Sequence, residues 1–448
     1  MSTQTARART HLDLTALEAD VRPGALDAPV DSGVFERHES AVRSYCRSWP
    51  VVFDTAVGSW MTATDGTRYL DMFAGAGALN YGHNPPALKG ALVEHLLRDG
   101  VTHGLDMHTT AKARFLTTFH ELVLAPRGLG HRVMFPGPTG ANAVEAALKV
   151  ARRATGRTGV VFFTDAFHGM SLGALSVTGN SAKRRGAGVP LHHTTPVPYD
   201  RSVPGADHTV LERLLGDPSS GLDLPAAVIV ETVQGEGGLT AARAEWLQAL
   251  AALCHRHEVL LIVDDVQMGV GRTGGFFSFE EAGITPDVVV LSKSISGYGL
   301  PMSLVLIRPE VDVWKPGEHN GTFRGNNPAF VTAEAALRTF WADDALERST
   351  LARGERVHDG LCRIVADVVR RGGTDGTVRG RGLARGLVLS AEGLAGRVAA
   401  EAFSLGLLVE TSGPHDEVVK LLPALTTSDD DLDTGLSLLA EATARALD

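Results

Sequence analysis

Six short apolar runs between residues 132 and 307 limit what this chain can fold into: Arg132–Phe135, Gly159–Phe163, Ala226–Val230, Leu260–Val263, Val288–Leu291 and Ser303–Ile307. They are almost unbroken in Val, Ile, Leu and Phe instead of alternating with polar residues. Both faces of such strands must be covered, as in a parallel sheet flanked by helices. Between the runs lie segments of helical length and period, among them Asn142–Thr155 and Ala244–His257. Strand alternating with helix predicts an α/β, doubly wound, mostly parallel sheet domain. The tail mixes helical segments (Ala333–Trp341, Gly354–Arg370, Ser428–Ala446) with short strands, which predicts a smaller α+β domain. The expected division is a polar, loosely ordered extension over 1–33 with a short helix near Leu14–Val21, a segment 34–95 that packs with the small domain, a large domain over 96–334 and the small domain over 335–448. The 34–95 segment carries a hairpin signal at Asp65-Gly66.

Ligands of open α/β sheets bind beyond the carboxyl ends of the strands. The residues that follow the runs therefore matter most. Ala226–Val230 is followed by Glu231, Leu260–Val263 by Asp264 and Asp265, and Val288–Leu291 by Ser292 and Lys293. Gly159–Phe163 leads into Thr164, Asp165 and His168, and Arg132–Phe135 into the loop Pro136–Gly140. One acid after a strand is usually a helix cap; acids, a Lys, a His and a Gly-containing loop converging on one rim describe a site. Gly140 opens an Ala-rich helix, where close backbone approach and free N–H groups attract a phosphate. Lys293, at the end of a buried strand among small residues, suits an amine nucleophile with a lowered pKa. Asp264 suits the acid that holds a pyridinium nitrogen protonated. Together these describe pyridoxal phosphate better than any other cofactor.

Other functions are excluded by what is missing. A formal charge of −10 argues against nucleic acid and anionic membrane as partners. Cys46, Cys254 and Cys362 form no CxxC pair, as expected of reduced thiols in the cytoplasm. No secretory signal is visible at the start, and no apolar stretch approaches the roughly 18 residues of a membrane span. The literal GxGxxG at Gly269–Gly274 is set apart from its strand by Asp264–Met268 and opens no helix, so it is not a dinucleotide fingerprint. The histidines show no HExxH, and no metal site is expected.

The motifs Phe167-His168-Gly169, Glu231-Thr-Val-Gln-Gly-Glu236, Asp264-Asp265-Val266-Gln267-Met-Gly-Val-Gly-Arg-Thr-Gly274 and Ser292-Lys293 stand in an order and spacing that resembles the class III (omega) pyridoxal-phosphate aminotransferases. The resemblance runs from about residue 34 to the C-terminus. Within the class it is nearest to the diaminobutyrate-forming branch of the ectoine-pathway type. The stretches Arg43–Arg47, Phe73–Asn84, Phe135–Gly140, Gly317–Asn327 and Glu410–Gly413 carry that likeness. It implies fold type I and a homodimer with a shared active site, possibly a higher oligomer. It also implies these roles: Gly140 and Ala141 N–H groups on the phosphate with Thr322 from the partner, Phe167 and Val266 on the two ring faces, Asp264 on the ring nitrogen, Gln267 on the phenolic oxygen and Lys293 as the catalytic amine. Glu231 would lie near the substrate carboxylate, and a charge switch in which Glu231 or Glu236 neutralises or releases the cation holding that carboxylate would let the site accept both substrates. Where many members of the class have Arg for glutamate's α-carboxylate, Val418–Pro423 offers Lys420, a point charge without a bidentate fork. Arg43 or Arg47 would hold the acceptor's carboxylate. Asp265 replaces the usual Glu, a change expected to affect packing only.

The expected reaction transfers an amino group from L-glutamate, the small-molecule donor, to the aldehyde of L-aspartate 4-semialdehyde. Alternatives are another ω-amine (ornithine, 4-aminobutyrate or a natural-product intermediate), a pyridoxal-phosphate racemase or decarboxylase, and a non-enzymatic binding protein.

Overall fold

The computed structural model of the protein describes residues 30–203, 207–371 and 375–448. The helix expected near Leu14–Val21 lies outside the described residues. The chain divides into two compact units, Met1–Phe53 and Asp54–Asp448. In the described part of the first, the helices Gly33–His38 and Tyr45–Ser48 frame Arg43, which pairs with Glu36 at 2.8 Å.

The second unit is built on a seven-stranded sheet. Its order is Arg132–Met134, Leu304–Ile307, Val288–Leu291, Leu260–Asp264, Ala227–Val230, Val160–Phe163 and Thr194–Val197. All strands run parallel except Leu304–Ile307, which is antiparallel to both neighbours. The sequence grouped that strand with the parallel ones. Parallel pairing needs a crossover, usually a helix, and residues 292–303 hold only the turn Lys293–Ser296 before the chain folds back. The edge strand Thr194–Val197 escaped the apolar pattern because it is mostly half-buried and contains Pro196, a residue that edge strands tolerate.

Alternate residues of each central strand bury on opposite faces. Val160, Phe162, Ile229, Ile262, Val288 and Val290 pack beneath the helix Gly140–Thr155 through Ala143, Val144, Ala147 and Leu148. Val161, Phe163, Val228, Val230, Leu261, Val263 and Val289 join the core that holds Trp246 and Leu250 of the helix Ala244–Arg256. Both faces are dry, which is the reason the runs are unbroken.

The tail contributes a four-stranded antiparallel sheet, ordered Gly376–Arg381, Ala384–Leu389, Val418–Leu421 and Glu410–Ser412, and the helices Ala345–Arg370, Leu394–Ser404 and Asp429–Leu447. Trp60–Ala63 and Arg68–Asp71 form a hairpin through Asp65-Gly66, and Arg68–Asp71 pairs in parallel with Leu407–Leu408. Cys46, Cys254 and Cys362 are free. Among the described residues no helix is long and apolar enough to cross a membrane, and no side-chain cluster is arranged to hold a metal.

Arg272, inside the GxGxxG stretch, explains that motif structurally. It is fully buried and donates hydrogen bonds to Leu383 O at 3.1 Å, to Asn80 Oδ1 at 2.5 Å and to Pro423 O, joining three distant parts of the chain. Arg272→Ala strands those buried acceptors, each at about 1–3 kcal/mol. The free energy of urea unfolding should fall by at least about 3 kcal/mol, and a change within about 0.5 kcal/mol would show the network to be dispensable.

Candidate active site

Strand register alone assembles the rim. Val263 pairs with Val230 and Asp264 with Val290, so Glu231 and Asp264 stand side by side with Lys293 just beyond. A cavity of about 180 Å³ opens there, lined by Gly140, Ala141, Phe167, His168, Glu231, Glu236, Asp264, Val266, Gln267 and Lys293.

The floor is the start of the helix Gly140–Thr155. Thr139 caps it: its Oγ1 accepts from Asn142 N at 3.3 Å, and Asn142 Oδ1 accepts from Thr139 N at 3.3 Å. This box leaves the N–H groups of Gly140 and Ala141 without an acceptor among the described residues, at the positive end of the helix dipole. A Cβ on residue 140 would come within 3.0 Å of Val266 Cγ1, so any larger residue here would have to push Val266 aside.

Asp264 is fixed from both sides. Its Oδ2 accepts from His168 Nδ1 at 2.7 Å, and its Oδ1 accepts from Val266 N at 3.0 Å. Burial by itself would lower the His168 pKa, but the hydrogen bond and charge of Asp264, with Glu231 adding, raise it. The sequence placed His168 in a motif without giving it a role. The only signal was its position three residues beyond Asp165 at the same rim. Glu231 Oε2 accepts from Phe167 N at 3.0 Å, and burial pushes its carboxyl up to about 7. Asp265 turns into the core, where Oδ2 accepts from Ser278 N at 3.0 Å and burial pushes its pKa up to about 7.

Lys293 adopts a left-handed φ of +51°, a strained conformation for a side chain with a Cβ, just after Ser292 anchors to Met302 O at 2.8 Å. Burial, with the Lys420 charge assisting and Glu236, Glu410 and Asp264 opposing, pushes the amine down to about 8. Gln267 Nε2 donates to Ala76 O at 3.0 Å and to Glu236 Oε1 at 3.3 Å, while Oε1 has no partner among the described residues.

Lys420 is fully buried, its Nζ 2.8 Å from both Glu236 Oε1 and Glu410 Oε1. It meets the cavity through Glu236, which does line it. Burial opposes ionisation of Glu236, yet Lys420 and Lys293 hold its carboxyl down at about 2. Glu410, which opens the motif Glu410–Gly413, is the cross-strand neighbour of Lys420. Thr322 is exposed in the loop before the helix Asn327–Phe340 and does not line this cavity. Arg43 and Arg47 belong to the first unit. There Arg43 pairs with Glu36, and Arg47 donates to Arg43 O at 3.1 Å and Ala41 O at 3.3 Å.

These residues fit pyridoxal phosphate. The helix start offers N–H donors, His168 Nε2 and Gln267 Oε1 are buried without partners among the described residues, and Lys293 is an amine with a depressed pKa beside an anchored carboxylate.

Residues 43–443 match the family model described as Aminotransferase class-III. The chain is 64% identical over 419 residues to a diaminobutyrate–2-oxoglutarate transaminase of Streptomyces avermitilis, covering 92% of this chain and 97% of that one. It is 55% identical over 414 residues to the transaminase of the same name from Halalkalibacterium halodurans, covering 92% and 96%. Among solved structures, the ornithine aminotransferase of Toxoplasma gondii superposes with a TM-score of 0.81 at 25% identity, covering 97% of this chain and 98% of that one.

The lowered pKa of Lys293 has a measurable sign. Its neutral fraction increases as pH approaches about 8 and saturates above it. Protein stripped of cofactor should therefore capture an aldehyde covalently at a rate rising about tenfold per pH unit below that point and levelling beyond it. A rate that keeps climbing to the pH of an ordinary lysine would show that burial does not depress this amine.

Proposed function

The chain belongs to the class III aminotransferases, and from that premise we propose that it transfers an amino group from L-glutamate to L-aspartate 4-semialdehyde, giving L-2,4-diaminobutyrate and 2-oxoglutarate. The observation that carries the proposal is the convergence of Asp264, Lys293 and the Gly140 helix start on one cavity, in a chain 64% identical to a diaminobutyrate–2-oxoglutarate transaminase over 92% of its length. Pyridoxal phosphate is the cofactor; when bound, it supplies an aldehyde that condenses with amines and a ring that withdraws electrons from the adjoining carbon.

Each residue then has a task. Gly140 and Ala141 N–H groups, with Thr322 of the partner subunit, would hold the phosphate. Phe167 and Val266 would pack the two ring faces, and Gln267 would reach the phenolic oxygen. Asp264, immobilised by His168 and Val266 N, would keep the ring nitrogen protonated. Lys293 Nζ would take the proton from the reacting carbon of the substrate and deliver it to the carbon of the cofactor that carries the transferred nitrogen, and do the reverse in the second half-reaction. Its pKa near 8 places it close to neutral pH, where one amine can serve in both directions. Glu236 screens Lys420 while the semialdehyde or diaminobutyrate is present. When glutamate enters, its α-carboxylate competes with Glu236 for that cation. Glu231, held partly protonated by burial, adds little negative charge beside the incoming carboxylate.

The proposal includes a homodimer in which each site borrows Thr322, a cytoplasmic location, and a product that feeds ectoine-type biosynthesis. Lys293→Ala should abolish turnover. Asp264→Ala should retain the phosphate cradle but lose at least about 10² in kcat; half-reaction rates near wild type would remove Asp264 from the ring nitrogen. The substrate is tested by single-turnover reaction of the holoenzyme with a panel of amines. Diaminobutyrate should react about tenfold faster than ornithine or 4-aminobutyrate. The reverse order ends the substrate assignment and leaves the aminotransferase intact.

A further inference from the structure

Lys183 was not singled out by the sequence, and the mechanism above does not use it. It lies in the short helix Ser181–Arg185, half-buried, with Nζ 4.2 Å from the centroid of the Phe167 ring. Phe167 lines the cavity. The charge of Lys183 also reaches Glu236 on the same cavity, where it joins Lys420 and Lys293 in favouring the carboxylate against burial. Among the described residues, Lys183 Nζ has no carboxylate partner and donates no hydrogen bond; the hydrogen bonds of this residue are made by its backbone. The ammonium is thus held over an aromatic face, an arrangement worth about 0.5–2 kcal/mol, with its donors free.

Its neighbours are otherwise engaged. Arg184 donates to Leu175 O at 3.2 Å, Ser176 O at 2.8 Å and Thr178 O at 2.9 Å. Thr178 Oγ1 in turn accepts from His168 N at 3.0 Å, so Arg184 ties the segment carrying Lys183 to the wall of the site. Lys420 is enclosed by Glu236 and Glu410.

The substrates ask for a cation at a fixed distance from the reacting carbon. In diaminobutyrate the path from the reacting carbon to the carboxylate is C4–C3–C2–C1. In glutamate the path from the reacting carbon to the side-chain carboxylate is C2–C3–C4–C5, the same separation. A single cation at a fixed distance from the reacting carbon therefore serves both half-reactions. Resting on the function proposed above, we infer that Lys183 is a specificity-determining residue whose Nζ receives this distal carboxylate in both. Arg43 and Arg47, assigned that task from the sequence, are not required for it.

The test removes the charge from protein and substrate in turn. Holoenzyme reacts in single turnovers with two matched pairs: diaminobutyrate against 1,3-diaminopropane, and glutamate against L-2-aminobutyrate. The second member of each pair lacks the distal carboxylate. Lys183→Met should cut the preference for the carboxylate-bearing member about tenfold in both pairs, with the loss in KM more than in kcat, and Lys183→Arg should restore most of it. A preference that survives Lys183→Met, or an equal loss for both members of a pair, overturns the assignment. If the wild-type enzyme does not use diaminobutyrate, the substrate proposal fails, and the glutamate pair alone decides for or against Lys183.

Discussion

The register between the strands Ala227–Val230, Leu260–Asp264 and Val288–Leu291 is the constraint on which the site depends. Pairing Val263 with Val230 and Asp264 with Val290 places one carboxylate beside another and a lysine one step further along the rim. In a parallel sheet a slip of one residue would turn Asp264 from the cavity into a packed face. Such a slip is prevented by the burial of alternate residues against two different cores. The dry packing that stabilises the sheet is thus also what orients the chemistry.

Low dielectric around that rim makes its charges interdependent. Burial raises Glu231 and Asp265 and lowers Lys293, each toward neutrality. Where a partner lies within hydrogen-bond reach the balance reverses: Asp264 keeps His168 protonated more readily than in water, and Lys420 keeps Glu236 ionised. Of the cations near the cavity, Lys420 is compensated by two carboxylates, Lys293 gives up its proton more readily than an ordinary lysine, and Lys183 rests on a ring. That graded set suits a site that must accept substrates bearing different numbers of carboxylates at the reacting end.

Two sequence features found their structural roles only in three dimensions. The GxGxxG stretch carries Arg272 into the core to close backbone carbonyls of the tail. Asp265, a departure from the usual Glu, serves the loop at Ser278 and not the cavity.

Local pattern was enough to determine the parallel sheet, the rim residues Glu231, Asp264 and Lys293, and the phosphate-ready helix start at Gly140, because each follows from a run of neighbouring residues and what ends it. Resemblance to a family supplied the roles. Tertiary structure alone decided the reversal of Leu304–Ile307, the anchoring of Asp264 by His168, the enclosure of Lys420 by Glu236 and Glu410, and the placing of Lys183 over Phe167. These join residues distant in the chain or held together by a turn, and their energy comes from desolvation and pairing across elements. Hydrophobic period along the chain carries no trace of such contacts, since it reports which face of an element is buried and not which charge it will meet there.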